Sequence, residues 1–424
     1  MPTPIPGNLP DRLTITLWDF SWYTRAGPGE PFEDLDRAFA AAVRRGYNTV
    51  RICAMPFLLF ASGLDTQALH FTPLGGDYGR RTRWYDVQQE AVLDGRARLL
   101  ALVQAARRHG CYVILSSWEY QQSTAFLADS SWSDAALAVP PAQRPDVLAN
   151  ALADLVDFLK THALDDRIAF TELHNEVQGG RLTDDIDPSQ DPILALQPRL
   201  EAAVERFRER APGQLIAVNY AWVPTGSMRG VASNVDVAIF HPYVYGVLEE
   251  LNRTFALRQP ELPFPQQRAD AELLREGAPP ADEWLPPQID RWRLHATIVP
   301  AREVYVHDWC DPVKYDRWLY ERYATHRTSM RDVLRTWMLV AADWALNYDV
   351  PLVFGEGWVG YTPLLSTFED GPVGAGICTE AVHQAAQLGA WGTVICSNAA
   401  PHHPMWDDVA LQHRLNTDFA QGRR

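Results

Sequence analysis

Apolar residues in this chain fall into short, often β-branched runs, separated by longer stretches in which they recur every three or four positions. The runs are LTITLW (13–18), NTVRICAM (48–55), YVILSSW (112–118), IAFTEL (168–173), LIAVNY (215–220), VDVAIFH (235–241), PLVFGE (351–356) and GTVICS (392–397). Near-continuous apolar runs of this length suit strands buried on both faces. Between them lie helical patterns such as FEDLDRAFAAAVRRG (32–46), ARLLALVQAARRHG (97–110) and VLANALADLVDFLKTHAL (147–164). LEAAVERFRER (200–210) and MRDVLRTWMLVAADWALN (330–347) continue the series. Several close on Gly or on basic residues, which suit a helix C-terminus. Strand–helix alternation predicts parallel strands with crossover helices. Eight repeats predict an α/β fold of the closed (β/α)8 barrel type. No GxGxxG follows the first run, which argues against a dinucleotide-binding sheet.

A barrel of this kind needs about 250 residues, and the chain has 424. The surplus concentrates after the second and sixth runs, at 57–93 and 246–326. The first holds LGGDYGRRTRWYD; the second is rich in Pro, Trp, Tyr and Arg. Long aromatic connections of this sort suit an ordered lid better than a linker. We therefore expect one catalytic domain over 1–424, with a lid-like insertion at 246–326.

Composition narrows the partners. Apolar residues are 47% and charged residues 21%, so a large core is available and disorder is not expected. A formal charge of −15 argues against nucleic acid and anionic membranes. The N-terminus shows neither a basic n-region nor an apolar h-region, and no run is long enough to span a bilayer. A cytoplasmic location is expected. The five cysteines are scattered and show no CxxC spacing, as for reduced, buried thiols. The sequence says nothing about oligomeric state.

The chemistry lies at two strand ends. The run IAF leads into TELHNEVQGG (171–180), and PLVF leads into GEGW (355–358), so two buried strands each end on a carboxylate, Glu176 and Glu356. In a (β/α)8 barrel the strand C-termini gather on one face, where active sites sit. Strands four and seven face each other across it. Two carboxylates about 5–5.5 Å apart are what a retaining glycosidase needs, one protonated and one ionised. Aromatic residues just past strand ends, among them Trp18, Trp118 and Trp358, suit the flat apolar face of a sugar.

These features resemble glycoside hydrolase clan A, and within it the cellulase-like families. The resemblance rests on Asn175-Glu176 after strand four, Glu356 after strand seven, Arg51 on strand two, and His241-Pro242-Tyr243 after strand six. It implies Glu176 as acid/base and Glu356 as nucleophile. It also implies Asn175 on the sugar 2-hydroxyl, Tyr243 on the nucleophile, Arg51 as the positive fork favouring an ionised Glu356, and His241 steadying the acid/base. Two departures stand out. The run SSWEYQQ (116–122) has no His ending strand three, so Glu119 is a candidate sugar contact. Strand eight ends CSNAAPHHPMW (396–406) without an early Trp, leaving Trp358 or Trp406 as the sugar platform.

The expected activity is a retaining β-glycosidase, exo-acting on a small glycoside or oligosaccharide, with no cofactor and no metal. A non-catalytic sugar-binding protein on the same barrel is the alternative. A metal-dependent isomerase or hydrolase on an unrelated barrel is a third. Several polar residues read as structural: Glu119, His174, and Glu172, which would pair with Arg51 in a barrel layer. His402 and His403 read as an exposed loop. Asn219, Tyr220 and Trp222, after strand five, are open to either reading.

Overall fold

The computed structural model of the chain describes residues 5–422. Eight parallel strands close into a barrel. They are β1 (Leu13–Asp19), β2 (Thr49–Cys53), β3 (Tyr112–Ser116), β4 (Ile168–Glu172), β5 (Ile216–Ala221), β6 (Val237–His241), β7 (Leu352–Phe354) and β8 (Gly392–Val394). β1 closes the ring by pairing with β8 at Leu13–Gly392 and with β2 at Ile15–Thr49. The strand residues are almost all buried, as expected when helices cover the outside and side chains fill the inside.

The crossover helices begin where the sequence supplies an acceptor for free N–H groups. Asp34 caps Leu35–Arg44, Asp94 caps Gly95–Arg108, Asp191 caps Pro192–Arg210 and Asp311 caps Pro312–Asn347. Each Asp side chain accepts a backbone N–H from the first turn, worth about 1 kcal/mol per cap.

All eight expected strands form, but several stop short of the C-terminal ends of their apolar runs. β3 ends at Ser116 rather than 118, β7 at Phe354 rather than 356, and β8 at Val394 rather than 397. The residues left over build the site described below. Residues 57–93 contain a two-stranded antiparallel ribbon, Leu69–Phe71 with Ala91–Leu93. Residues 246–326 are largely helical, with Val247–Thr254, Gln266–Glu272, Ala301–Trp309 and the first half of Pro312–Asn347.

That last helix has 36 residues and starts 18 before the expected one. Its buried positions are Tyr315, Trp318 and Leu319, then none until Met330. The apolar stripe is interrupted there, so the period is lost in the sequence although the helix continues. The helix over 192–210 likewise starts before the expected 200, because Pro198 within it reads as a break.

Candidate active site

The strand ends on the C-terminal face surround a cavity of about 740 Å³. Glu176 and Glu356 both line it. One carboxylate oxygen from each, together with a His241 ring nitrogen, lie within 4.8 Å of one another.

Local backbone geometry brings Glu176 to this place. It sits in the left-handed region with φ 47°, a conformation that costs a non-glycine residue roughly 1–2 kcal/mol. Its N–H donates to Asn219 Oδ1 at 3.0 Å, and its carbonyl accepts the Gly179 N–H at 2.7 Å. The preceding Asn175 N–H donates to the Ser117 carbonyl at 2.7 Å. The exit from β4 is thus tied to both neighbouring strands. Gly180 is required there, because a Cβ on it would lie 2.5 Å from the Tyr120 carbonyl oxygen.

The hydrogen bonds fix donor and acceptor roles around Glu176. Asn219 Oδ1 already accepts a backbone N–H, so its Nδ2 donates, reaching His241 Nε2 at 2.6 Å. His241 then carries its proton on Nδ1, which donates to Glu176 Oε1 at 3.0 Å. Asn175 Oδ1 accepts from Arg51 at 2.7 Å, so its Nδ2 donates to Gln121 Oε1 at 2.7 Å. Gln121 Nε2 in turn donates to Glu176 Oε2 at 3.0 Å. Burial raises the Glu176 carboxyl above the ordinary glutamate range, and the Gln121 bond and the Arg51 charge only partly oppose it. A carboxyl that holds its proton longer suits proton donation.

Glu356 is placed differently. Its Oε1 accepts from Arg51 Nη1 at 2.7 Å, and its Oε2 accepts the Tyr243 hydroxyl at 2.8 Å. Ser397 bonds Tyr243 and also accepts the Gly357 N–H, tying the β7 and β8 exits together. Arg51 is fully buried inside the barrel. It forks onto Glu172 with two bonds of 2.6 Å, bonds Glu356 and Asn175, and lies 4.6 Å over the Trp118 ring. Burial alone would lower its pKa, but Glu172 and Glu356 outweigh that and raise it. The layer pairing of Glu172 with Arg51 is therefore present.

The aromatic and loop residues divide. Trp118 lines the cavity. Trp18 does not, since alternation along β1 sends Leu17 and Asp19 inward and Trp18 outward onto Phe32 and Phe39. Trp358 is also turned away, its indole N–H donating to the Ile395 carbonyl at 2.6 Å. Trp406 stacks on Tyr47 and has the Arg45 guanidinium over its ring. Glu119 points from the cavity to the start of the short helix Pro56–Phe60, accepting the N–H groups of Phe57 and Leu58 at 3.1 and 2.7 Å. His403 is buried rather than exposed, and His402 reaches Ser21 Oγ at 3.2 Å. Trp222 lines the cavity, whereas Tyr220 is buried with its hydroxyl on the Ala232 N–H at 2.9 Å.

Residues missed in the sequence complete the wall. Asp19 is a third strand-end carboxyl in the cavity, with φ 40°. Burial pushes its pKa up to about 8, against bonds from Ser21. The pattern that singled out Glu176 and Glu356, an apolar strand running into an acid, is present there as LTITLWD. Gln121 stands near where the resemblance leads one to look for a His, and only its double bonding reveals it. Trp84 and Trp337 come from the 57–93 connection and the long helix.

Glu176, His241 and Glu356 are close enough to ligate a cation, so a metal must be tested against the donor set. His241 uses one ring nitrogen to accept from Asn219 and presents a proton on the other, and Arg51 already supplies positive charge to Glu356. This arrangement fits hydrogen bonding to carboxylates and not metal ligation, which needs a free nitrogen lone pair.

Buried neutral histidines give the site a pH signature. His174 accepts the Tyr120 N–H at 3.1 Å on Nε2 and bonds the Asn175 carbonyl through Nδ1, and burial pushes its pKa down to about 3 from 6.5. Below pH 6.5 the unfolded chain takes up a proton that the folded chain refuses until about pH 3. This contribution to stability is therefore complete above pH 6.5 and is lost as pH falls through that window. We expect His174→Gln to show a shallower fall of the urea midpoint between pH 6.5 and 4 than the parent protein. Parallel curves would contradict this.

Residues 15–178 match the model of a family named cellulase-like and described as sugar-binding cellulase-like. No curated protein sequence matches the chain. A candidate glycoside hydrolase from Parabacteroides distasonis shares the fold with a TM-score of 0.68 at 18% identity, over 97% of this chain and 94% of that one. More distant likenesses include a Prevotella bryantii glycoside hydrolase family 5 enzyme in complex with a xyloglucan tetradecasaccharide (TM-score 0.48, 12% identity, 98% of this chain and 99% of that one). Another is a hyperthermostable endo-1,4-β-D-mannanase from Thermotoga petrophila (TM-score 0.46, 13% identity, 90% and 87%). Over residues 15–178, fewer than half of its positions, the chain is thus similar to the cellulase-like family, and those residues sit in a closed eight-stranded parallel barrel.

Proposed function

We propose that the protein is a retaining β-glycoside hydrolase, exo-acting on a small glycoside or oligosaccharide. The observation that carries this reading is the pair Glu176 and Glu356, with oxygens within 4.8 Å and unlike surroundings. An oxygen-to-oxygen approach this short supports the retaining separation of about 5–5.5 Å over the inverting one of about 6.5–9.5 Å. One carboxyl is bonded to a guanidinium and a phenol; the other has its pKa raised by burial.

In the first step a Glu356 oxygen attacks the anomeric carbon while the bond to the leaving oxygen breaks. Glu176 gives that oxygen its proton, and the aglycone departs as an alcohol. In the second step Glu176, now a carboxylate, takes a proton from water as the water oxygen attacks the same carbon. The glycosyl ester breaks and Glu356 is restored. Asn175 stands beside both carboxyls, held by Arg51 and Gln121, where it can bond the sugar 2-hydroxyl. Residues 246–300 contribute Gly246, Glu249, Arg258, Ile298 and Pro300 to the cavity wall, which supports a lid-like insertion that narrows the cleft and favours exo action.

The description of the matched family as sugar-binding favours one second reading, a lectin-like protein that binds sugar without cleaving it. A panel of nitrophenyl β-glycosides separates the two. Turnover, with the β-anomer formed first by NMR, supports the hydrolase. Binding with no turnover across the panel supports the lectin. For the hydrolase, kcat/KM should fall as pH rises through the raised pKa of Glu176, because the acid must carry its proton. Glu176→Ala should lose this alkaline limb on a substrate with an activated leaving group.

A further inference from the structure

We propose that the aglycone side of the cavity is shaped for an apolar alcohol, an alkyl or aryl group, rather than for a second sugar. This inference rests on the glycoside hydrolase reading and names the leaving group.

The proton donor stands beside the glycosidic oxygen, so the aglycone lies on the Glu176 side. Glu176 follows β4 and is held by Asn219 of β5 and His241 of β6. The cavity wall contributed by the segments after β5 and β6 contains Trp222, Ile298, Met330, Val333 and Trp337. Trp222, Ile298 and Val333 are 46%, 42% and 37% exposed, unusual for such large apolar side chains. Trp alone is ambiguous, because a sugar face stacks on an indole. Ile298, Met330 and Val333 are not, because they offer a sugar hydroxyl no effective partner, and an unpaired hydroxyl on burial is costly. The nearby cation, Arg258, is already engaged by Glu303 at 2.9 and 3.1 Å.

A second observation agrees. Behind Met330 lies a small cavity of about 40 Å³ whose wall includes Val244, Leu334, Trp358 and Val359. Val244 and Met330 border both cavities, so Met330 stands at the boundary between them. Gly246, at φ 49°, leaves room for it; a Cβ there would meet Met330 Cγ at 2.2 Å. Methionine is the residue that most readily adopts another rotamer to admit an apolar group.

The test uses n-alkyl β-glycosides from methyl to octyl, below their micelle concentrations, with the sugar that the nitrophenyl panel selects. On this inference kcat/KM rises by up to about fourfold per added methylene, the factor for burying one CH2. Octyl should also exceed the disaccharide of the same sugar. Val333→Asp, at an exposed position that tolerates a charge, should lower the octyl-to-methyl ratio by about tenfold or more, a ratio insensitive to any general loss of activity. A flat chain-length dependence, or a disaccharide preferred to octyl, overturns the inference while leaving the hydrolase reading intact. Absence of turnover on every nitrophenyl and alkyl glycoside overturns both.

Discussion

Glu356→Gln should lower kcat by a factor on the order of 10⁵ or more, because removing a nucleophile from a catalytic unit abolishes both chemical steps. The amide keeps the shape of the side chain and can still accept one bond, so folding should be retained. Glu176→Ala should behave differently. On dinitrophenyl glycosides the leaving group departs unaided, and the loss in the first step should be small. On alkyl glycosides it should reach the roughly 10²–10⁴-fold that general acid catalysis supplies. Azide, a small nucleophile needing no base, should fit the space left by the Glu176 carboxylate and restore turnover. The product should be a β-glycosyl azide, since the azide attacks the face opposite Glu356. An α-azide product would exchange the two roles, and equal losses in both variants on every substrate would remove the distinction between them.

The features that made this site legible in the sequence are those that act through local pattern. Eight apolar runs give eight strands because each strand of a closed barrel is buried on both faces, and the acids at 176 and 356 stand out against such runs. Arg51 stands out likewise, a charge in the middle of NTVRICAM that burial forces to find partners. The failures also have physical causes. Trp18 and Trp358 lie past or near strand ends as Trp118 does, but which side of the barrel wall a residue faces depends on one-residue register and on strand exits that leave the ladder. β1 carries an irregularity between Leu17 and Asp19, and sequence pattern cannot place it. Glu119 is taken by a helix start more than 60 positions away in the chain. Met330 and Val333 lie in the expected helix over 330–347, but its apolar period does not tell which of its faces meets the cavity. The acids at 176 and 356 are visible because they break an apolar pattern, whereas the aliphatic cavity wall continues one and is not.

Arg51→Met should cost about 3–5 kcal/mol of stability, the usual loss when one partner of a buried ion pair is removed. Arg51 and Glu172 are both fully buried, and the guanidinium bonds Glu172 twice, Glu356 once and Asn175 once. Without it two carboxylates in the barrel core lose their counter-charge, and Asn175 loses the donor that fixes its amide. The cost therefore comes mainly from desolvated charge left behind rather than from lost packing, since Met fills much of the Arg stem volume. The double variant Arg51→Met with Glu172→Leu should then recover most of the stability in chemical denaturation, because an apolar pair replaces an ion pair of similar size. Its activity should not return. Glu356 would still lack the positive partner at 2.7 Å, and the relay from Asn175 through Gln121 to Glu176 would still have lost its anchor. Arg51→Lys should fall between, keeping the charge but not the fork that reaches three residues at once. If the single variant unfolds at the same denaturant concentration as the parent, Arg51 is not a structural keystone of the barrel layer. If the double variant regains kcat/KM along with stability, the positive charge is not needed by Glu356, and Arg51 serves the fold alone.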